Sequence, residues 1–209
     1  MPWAFYNASG QRLSSAATNI SLLDIDGATD IGAAIVDADL FIVDDNASGT
    51  NRKTAASRIK TYVNNIVQVK SVTYSANAST TTTIPADNTI PQVGEGGQFM
   101  SLAITPNNTN NRLIILVNIY TRCDGATDQA TAALFKDGAS NALAGTSGRT
   151  NTANLDEGMS FTYEAAAGGT SEQTWTVRAG QDTSGTFNFN SNARGAIIYS
   201  SIHIWEVLV

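Results

Sequence analysis

Two stretches of this sequence are apolar on both faces of a β-strand, and they constrain the fold more than any other feature. Residues 112–120 place Leu113, Ile115, Val117 and Ile119 on one side and Ile114, Leu116 and Tyr120 on the other. The C-terminal stretch behaves the same way. Ile198, Ile202, Ile204 and Leu208 share one face, and Ile197, Tyr199, His203, Trp205 and Val207 share the second. An ordinary sandwich strand turns one apolar face to the core and one polar face to water. A second apolar face needs a second cover, supplied either by another subunit or by a tightly wrapped monomeric sandwich. The oligomer is the favoured reading, because interfaces of roughly 800 Å² per partner are ordinary and favour aromatic residues. Ile114, Leu116, Tyr120, Tyr199, His203 and Trp205 are therefore the candidate seam between subunits.

The rest of the chain agrees with an all-β body. Of 209 residues only 14% are charged, and Asn, Thr, Ser and Gly carry the polarity. Thr and the aliphatics suit pleated strands, while Asn, Gly, Ser and Asp suit turns. Three zones follow. Residues 1–70 open on an aromatic cluster, Trp3, Phe5 and Tyr6, then a turn at Asn7–Gly10. They continue through a short apolar strand, Leu40 to Val43, and a loop at Asn46–Thr50. The spacing of Ala55, Ile59, Tyr62 and Val63 predicts a helix over 54–65. This zone has too few apolar residues for a core of its own and reads as an adaptor. Residues 71–92, with the run Thr80 to Thr83, read as a linker or a first strand. Residues 93–209 carry short alternating strands at 131–136, 160–164, 174–179 and 186–190. Asp137-Gly138 is a strong hairpin turn. Short strands between Gly- and Asn-rich turns predict an antiparallel sandwich or jelly roll.

Charge and composition exclude whole classes of function. The net charge is −6, without the clustered Lys and Arg that neutralise phosphates, so nucleic acid is not an expected partner. Cys123 is the only cysteine, so no intrachain disulfide forms, and its neighbours predict an inert thiol. The N-terminus lacks the basic start and apolar stretch of a signal peptide, and no apolar run approaches ~20 residues. The expectation is a protein made in a bacterial cytoplasm without membrane insertion.

The segment Leu23-Asp24-Ile25-Asp26-Gly27-Ala28-Thr29-Asp30-Ile31-Gly32 is followed by Asp37 to Asp45, Thr50 to Thr54 and Ser57 to Tyr62. Together they resemble a module of phage fibre and virion structural proteins, notably of marine phages, that precedes a variable C-terminal head. Residues Leu102 to Pro106, the 112–120 strand, Ala133 to Gly138 and the 196–206 ending are more loosely similar to heads of trimeric phage fibres. Those heads are jelly rolls similar to complement globular-head and tumour-necrosis-factor domains. The resemblance implies a homotrimer, an N-terminal attachment region and a distal head. It makes the seam a trimer interface and Trp3, Phe5 and Tyr6 the particle-attachment candidates. It supplies no catalytic residue.

Little in the sequence points to catalysis or to a metal. His203, the only histidine, sits in an apolar strand without a Gly-x-Ser-x-Gly elbow. Zinc sites need several His or Cys. Gly94-Glu95-Gly96-Gly97 lacks the Lys of a phosphate loop. Asp24, Asp26, Asp30, Asp37, Asp39, Asp44 and Asp45 offer oxygens to calcium, but their spacing is not that of an EF-hand, and Asx turns explain them without a metal. Asp156, Glu157 and Glu164 are acids a glycosidase pair could use, but nothing in the sequence orders them into one. No cofactor is expected.

The sequence thus predicts a non-enzymatic virion structural protein, a trimeric fibre or spike. Its partners are itself, capsid, neck or tail proteins, and host surface glycan. The glycan loops expected are Asn107–Asn111, Ser140–Asn154 and Gly180–Gly185. The rival readings are a capsid decoration or cement protein, a polysaccharide-degrading spike and a secreted lectin.

Overall fold

The computed structural model describes residues 5–6, 12–13, 32–44, 51–63, 65–191 and 197–209. The chain divides into two compact units, Met1–Thr61 and Tyr62–Val209.

In the first unit, β1 (Phe5–Tyr6) pairs antiparallel with β2 (Arg12–Leu13), and β3 (Leu40–Asp44) pairs antiparallel with β4 (Asn51–Ala55). Helix α1 (Ala56–Val63) follows at once and runs across the boundary between the units. The expected helix is therefore shorter at its start, because Thr54 and Ala55 are held in the hairpin opposite Phe41 and Leu40. No described side chain of this unit is fully buried, and Leu40 and Ile42 are each 60% exposed.

The second unit is an antiparallel β-sandwich. Its strands are β5 (Ile66–Tyr74), β6 (Ala78–Thr80), β7 (Gly97–Ile104), β8 (Arg112–Arg122), β9 (Gln129–Lys136), β10 (Ala144–Arg149), β11 (Asp156–Ala166), β12 (Gln173–Gln181), β13 (Phe187–Phe189) and β14 (Ser200–Val207). The smaller sheet runs β10-β9-β12-β7. The larger runs β5-β14-β8-β11, with β13 and β6 continuing past the end of β14 along the flank of β8. These two interleaved orders are the path of a jelly roll. The sandwich takes in the chain from Ile66 onward, so its first strand starts inside the stretch read as adaptor and continues into 71–92.

The core lies between the sheets and follows the alternation of the strands. Leu113, Ile115, Val117 and Ile119 of β8 and Ile202 and Ile204 of β14 meet Leu134 of β9 and Trp175 and Val177 of β12. Asp137 and Gly138 both hold positive φ, 52° and 71°, and Ala139 N donates to Lys136 O. The predicted hairpin turn is formed as a primed turn requires.

The outer face of the smaller sheet is also covered. Ala133 and Phe135 point away from the main core, yet each is at most 1% exposed. The segment 82–96 lies over them. Ile84, itself 1% exposed, enters that layer, and the segment is fastened by Ile84 N to Gln181 O, Gly96 N to Thr83 O and Arg178 Nε to Glu95 O. Gly96 has φ +60°, and a Cβ there would lie 2.6 Å from Ala179 O, so only glycine lets the segment return this close.

Candidate functional site

The outer face of the larger sheet keeps apolar side chains in water. Cross-strand register builds it row by row. Val69 of β5, Trp205 of β14, Ile114 of β8 and Glu164 of β11 lie side by side. The next row is Ser71, His203, Leu116 and Thr162, and the next is Thr73, Ser201, Asn118 and Ser160. Trp205 is 39% and Val69 52% exposed. Arg112 and Glu164 form an ion pair at one margin. Sequence reasoning found Ile114, Leu116, His203 and Trp205, and the structure brings them into one apolar patch. Val69 was missed, because its membership depends on the pairing of β5 with β14.

Tyr120 and Tyr199 belong to a different part of the same face. Together with Asn118, Gly158 and Ser160 they line a cavity of about 260 Å³. The face therefore has an apolar half and a polar, aromatic half. A larger cavity of about 360 Å³ lies between Thr89–Pro91 and Ala142–Gly145, and its lining offers one side-chain hydroxyl, that of Thr89.

Of the particle-attachment candidates, Trp3 lies outside the described residues, and only the backbone of Phe5 and Tyr6 is described, in β1. Among the acidic turn residues, Asp24, Asp26, Asp30 and Asp45 also lie outside them. Asp39 Oδ2 accepts from Val36 N at 2.8 Å, which closes a turn. Of the three stretches expected as glycan loops, Ser140–Asn154 contains strand β10, and its Arg149 lies 3.8 Å from Asp182 of Gly180–Gly185, while Asn107–Asn111 lies apart from both. Asn107–Asn111 follows the end of β7 beside Gln173, where β12 starts, whereas Gly180–Gly185 leaves the other end of β12.

The acids do not form a glycosidase pair. Glu157 and Glu164 point to opposite faces of β11, and Asp156 and Glu164 are eight residues apart on it, roughly 26 Å at ~3.3 Å per residue. A working pair needs less than about 10 Å. His203 Nε2 lies 3.0 Å from Ser201 Oγ, but Ser201 is 3% exposed, so the pair lacks an accessible nucleophile.

Two polar clusters escaped the sequence reading. Glu206 is 0% exposed. Its Oε1 accepts from Asn107 N, Asn108 N and Asn111 Nδ2, and its Oε2 accepts from Gln68 Nε2. Burial alone raises this carboxyl, but the Gln68 and Asn111 amides and the two backbone donors hold it below the usual glutamate range. At the opposite end, burial pushes the Cys123 thiol up to about 12, with help from the charges of Asp128, Asp182, Glu157 and Asp124. Asp124 accepts from Gln181 Nε2 and Thr186 N, which hold it below the usual carboxylate range. Asp128 accepts from Thr183 Oγ1 and Gly125 N, and Asp182 accepts from Gln129 N. These acids tie loops together, and the described residues contain no group of three or more His, Cys, Asp or Glu placed to hold a metal.

The chain matches no protein-family model and none of the curated proteins. Among solved structures it is similar to the C-terminal domain of EclA, a sugar-binding protein, at 15% identity and a TM-score of 0.33, covering 63% of this chain and 78% of that one. It is similar to a chain of an infectious bursal disease virus particle at 10% identity and a TM-score of 0.35, covering 82% and 41%. A third likeness is the enzymatically active domain of a bacteriophage tailspike protein, at 11% identity and a TM-score of 0.21, covering 72% and 20%. Each overlap is loose.

Proposed function

We propose that this chain is a non-enzymatic structural subunit of a bacteriophage particle, a short fibre or spike that works as a homotrimer. Residues of the first unit hold it to the particle and to neighbouring copies, and the sandwich is displayed outward. One observation carries the reading: the two outer faces of the sandwich are treated differently. The smaller sheet is capped by the chain's own segment 82–96, which buries Ile84, Ala133 and Phe135. The larger sheet leaves Val69 and Trp205 exposed beside Ile114 and Leu116. A contiguous apolar patch of this kind marks an interaction surface. Its aromatic centre and sparse charge suit a subunit seam. The order of the segments between Leu23 and Tyr62, which resembles the phage virion module, supports placing that seam in a virion fibre.

The test is whether the patch holds copies together. Native mass measured by light scattering, on the full-length protein and on Trp205→Arg, reads it directly. Loss of the trimer in the variant supports the seam, and an unchanged mass contradicts it. Gold-labelled antibody on particles then separates a tail or neck fibre from a coat over the whole capsid.

A further inference from the structure

We infer that the cavity formed by Asn118, Tyr120, Gly158, Ser160 and Tyr199 is a binding site for a single neutral pyranose ring. This deepens the display role proposed above, since it names what the outward sandwich holds and where. The site is on the sheet face, and none of its residues belongs to the three stretches expected to bind glycan.

Gly158 is the first reason. It sits inside β11, directly opposite Tyr120 of β8. Its φ is not in the left-handed region, and a Cβ built on it meets nothing within 4 Å. Neither backbone conformation nor close packing demands glycine there. Glycine weakens a strand interior and is found where something approaches closely. Its effect at this position is to leave the cavity open.

The lining sets the ligand's chemistry. The cavity holds about 260 Å³, below the usual range for drug-sized ligands, and no charged side chain lines it. A phosphate or carboxylate ligand would find no counter-charge. Asn118 and Ser160 are direct cross-strand partners, so their side chains stand side by side, roughly 5 Å apart at Cβ. The Asn118 amide donates only a long bond, 3.3 Å to Ser201 Oγ, and Ser160 makes no side-chain hydrogen bond within the described residues. Both are available to ring hydroxyls. Tyr199 is 53% exposed, an aromatic body with a polar tip at the rim of the same cavity. Paired hydroxyl-binding groups beside aromatic rings match a molecule with a polar edge and an apolar C–H face.

The experiment is saturation-transfer NMR on the full-length protein with methyl α-D-glucopyranoside, methyl β-D-galactopyranoside, methyl α-D-mannopyranoside and N-acetylglucosamine, with glycerol as the polyol control. The proposal expects transfer to at least one pyranoside and none to glycerol. It expects loss of that signal in Gly158→Gln, which fills the cavity, and in Tyr199→Ala, with thermal unfolding unchanged in both. Silence from every pyranoside, equal transfer to glycerol, or signal that persists in both variants overturns it. A change of native mass in Gly158→Gln also overturns it, because a second copy would then occupy the cavity. If the protein is trimeric but takes no sugar, the pocket fails and the seam stands.

Discussion

Trp205 lies directly opposite Ile114 in the β14–β8 ladder, flanked by Val69 of β5, and remains 39% exposed. An indole and two aliphatic side chains on the water side of a sheet have no role in the core of their own chain. If the face is the proposed seam, a charge placed among them acts on association rather than on folding. Trp205→Arg and Ile114→Lys should each convert trimer to monomer while circular dichroism keeps its β signature, and light scattering beside the spectra checks both.

The opposite face should answer differently. Phe135 and Ile84 form a layer closed by the chain itself, so truncation opens a cavity inside each subunit. Phe135→Ala should cost about 3–5 kcal/mol and Ile84→Ala about 2–5 kcal/mol in denaturant unfolding, with native mass unchanged. A cost below about 1 kcal/mol at both sites would mean that segment 82–96 does not seal that face.

Glu206 links the C-terminal strand to the loop after β7 through Asn111, 95 residues away, and is fully buried. Glu206→Gln turns an amide donor toward the donors it now faces, and should cost about 2–4 kcal/mol. The wild-type carboxyl is held below its ordinary value, so its stabilisation is present above about pH 4.3 and is lost as pH falls through the folded value. Unfolding free energies measured from pH 7 down to pH 3 should decline less steeply in the variant.

Cys123 is 1% exposed, with its thiol pushed up to about 12. Ellman's reagent at pH 8 should not label the native protein and should label one thiol per chain in denaturant. The sign of its linkage is opposite to that of Glu206. Its contribution is intact below the unfolded value of about 8.5 and is lost as pH rises toward the folded one.

Much of the sandwich was legible because alternation and burial coincide in β8, β12, β13 and β14, and because Asp137-Gly138 has one favoured turn geometry. What escaped has a physical reason in each case. The edge strand β10, Ala144–Arg149, has no large apolar side chain to alternate and is held by its ladder to β9. The cover over Phe135 is an irregular segment whose one fully buried large side chain is Ile84, so no periodicity announces it. Asn190 shows the same limit. It is fully buried at φ 54°, donates to Tyr74 O and accepts from Ser200 Oγ, joining β5 to β14. Its sequence context reads as a plain turn. Ile114, Leu116, His203 and Trp205 of the apolar patch were legible, since a strand apolar on both faces is visible without a structure, whereas Tyr120 and Tyr199, read with them, line the neighbouring cavity. The cavity was not legible, because Gly158, Asn118 and Tyr199 meet only through strand register.

The most direct test is the native mass of the full-length protein by light scattering across a range of concentrations. The account predicts three times the 22.0 kDa chain mass. A mass of one chain at every concentration would contradict it, and would leave the Trp205 face as bare surface.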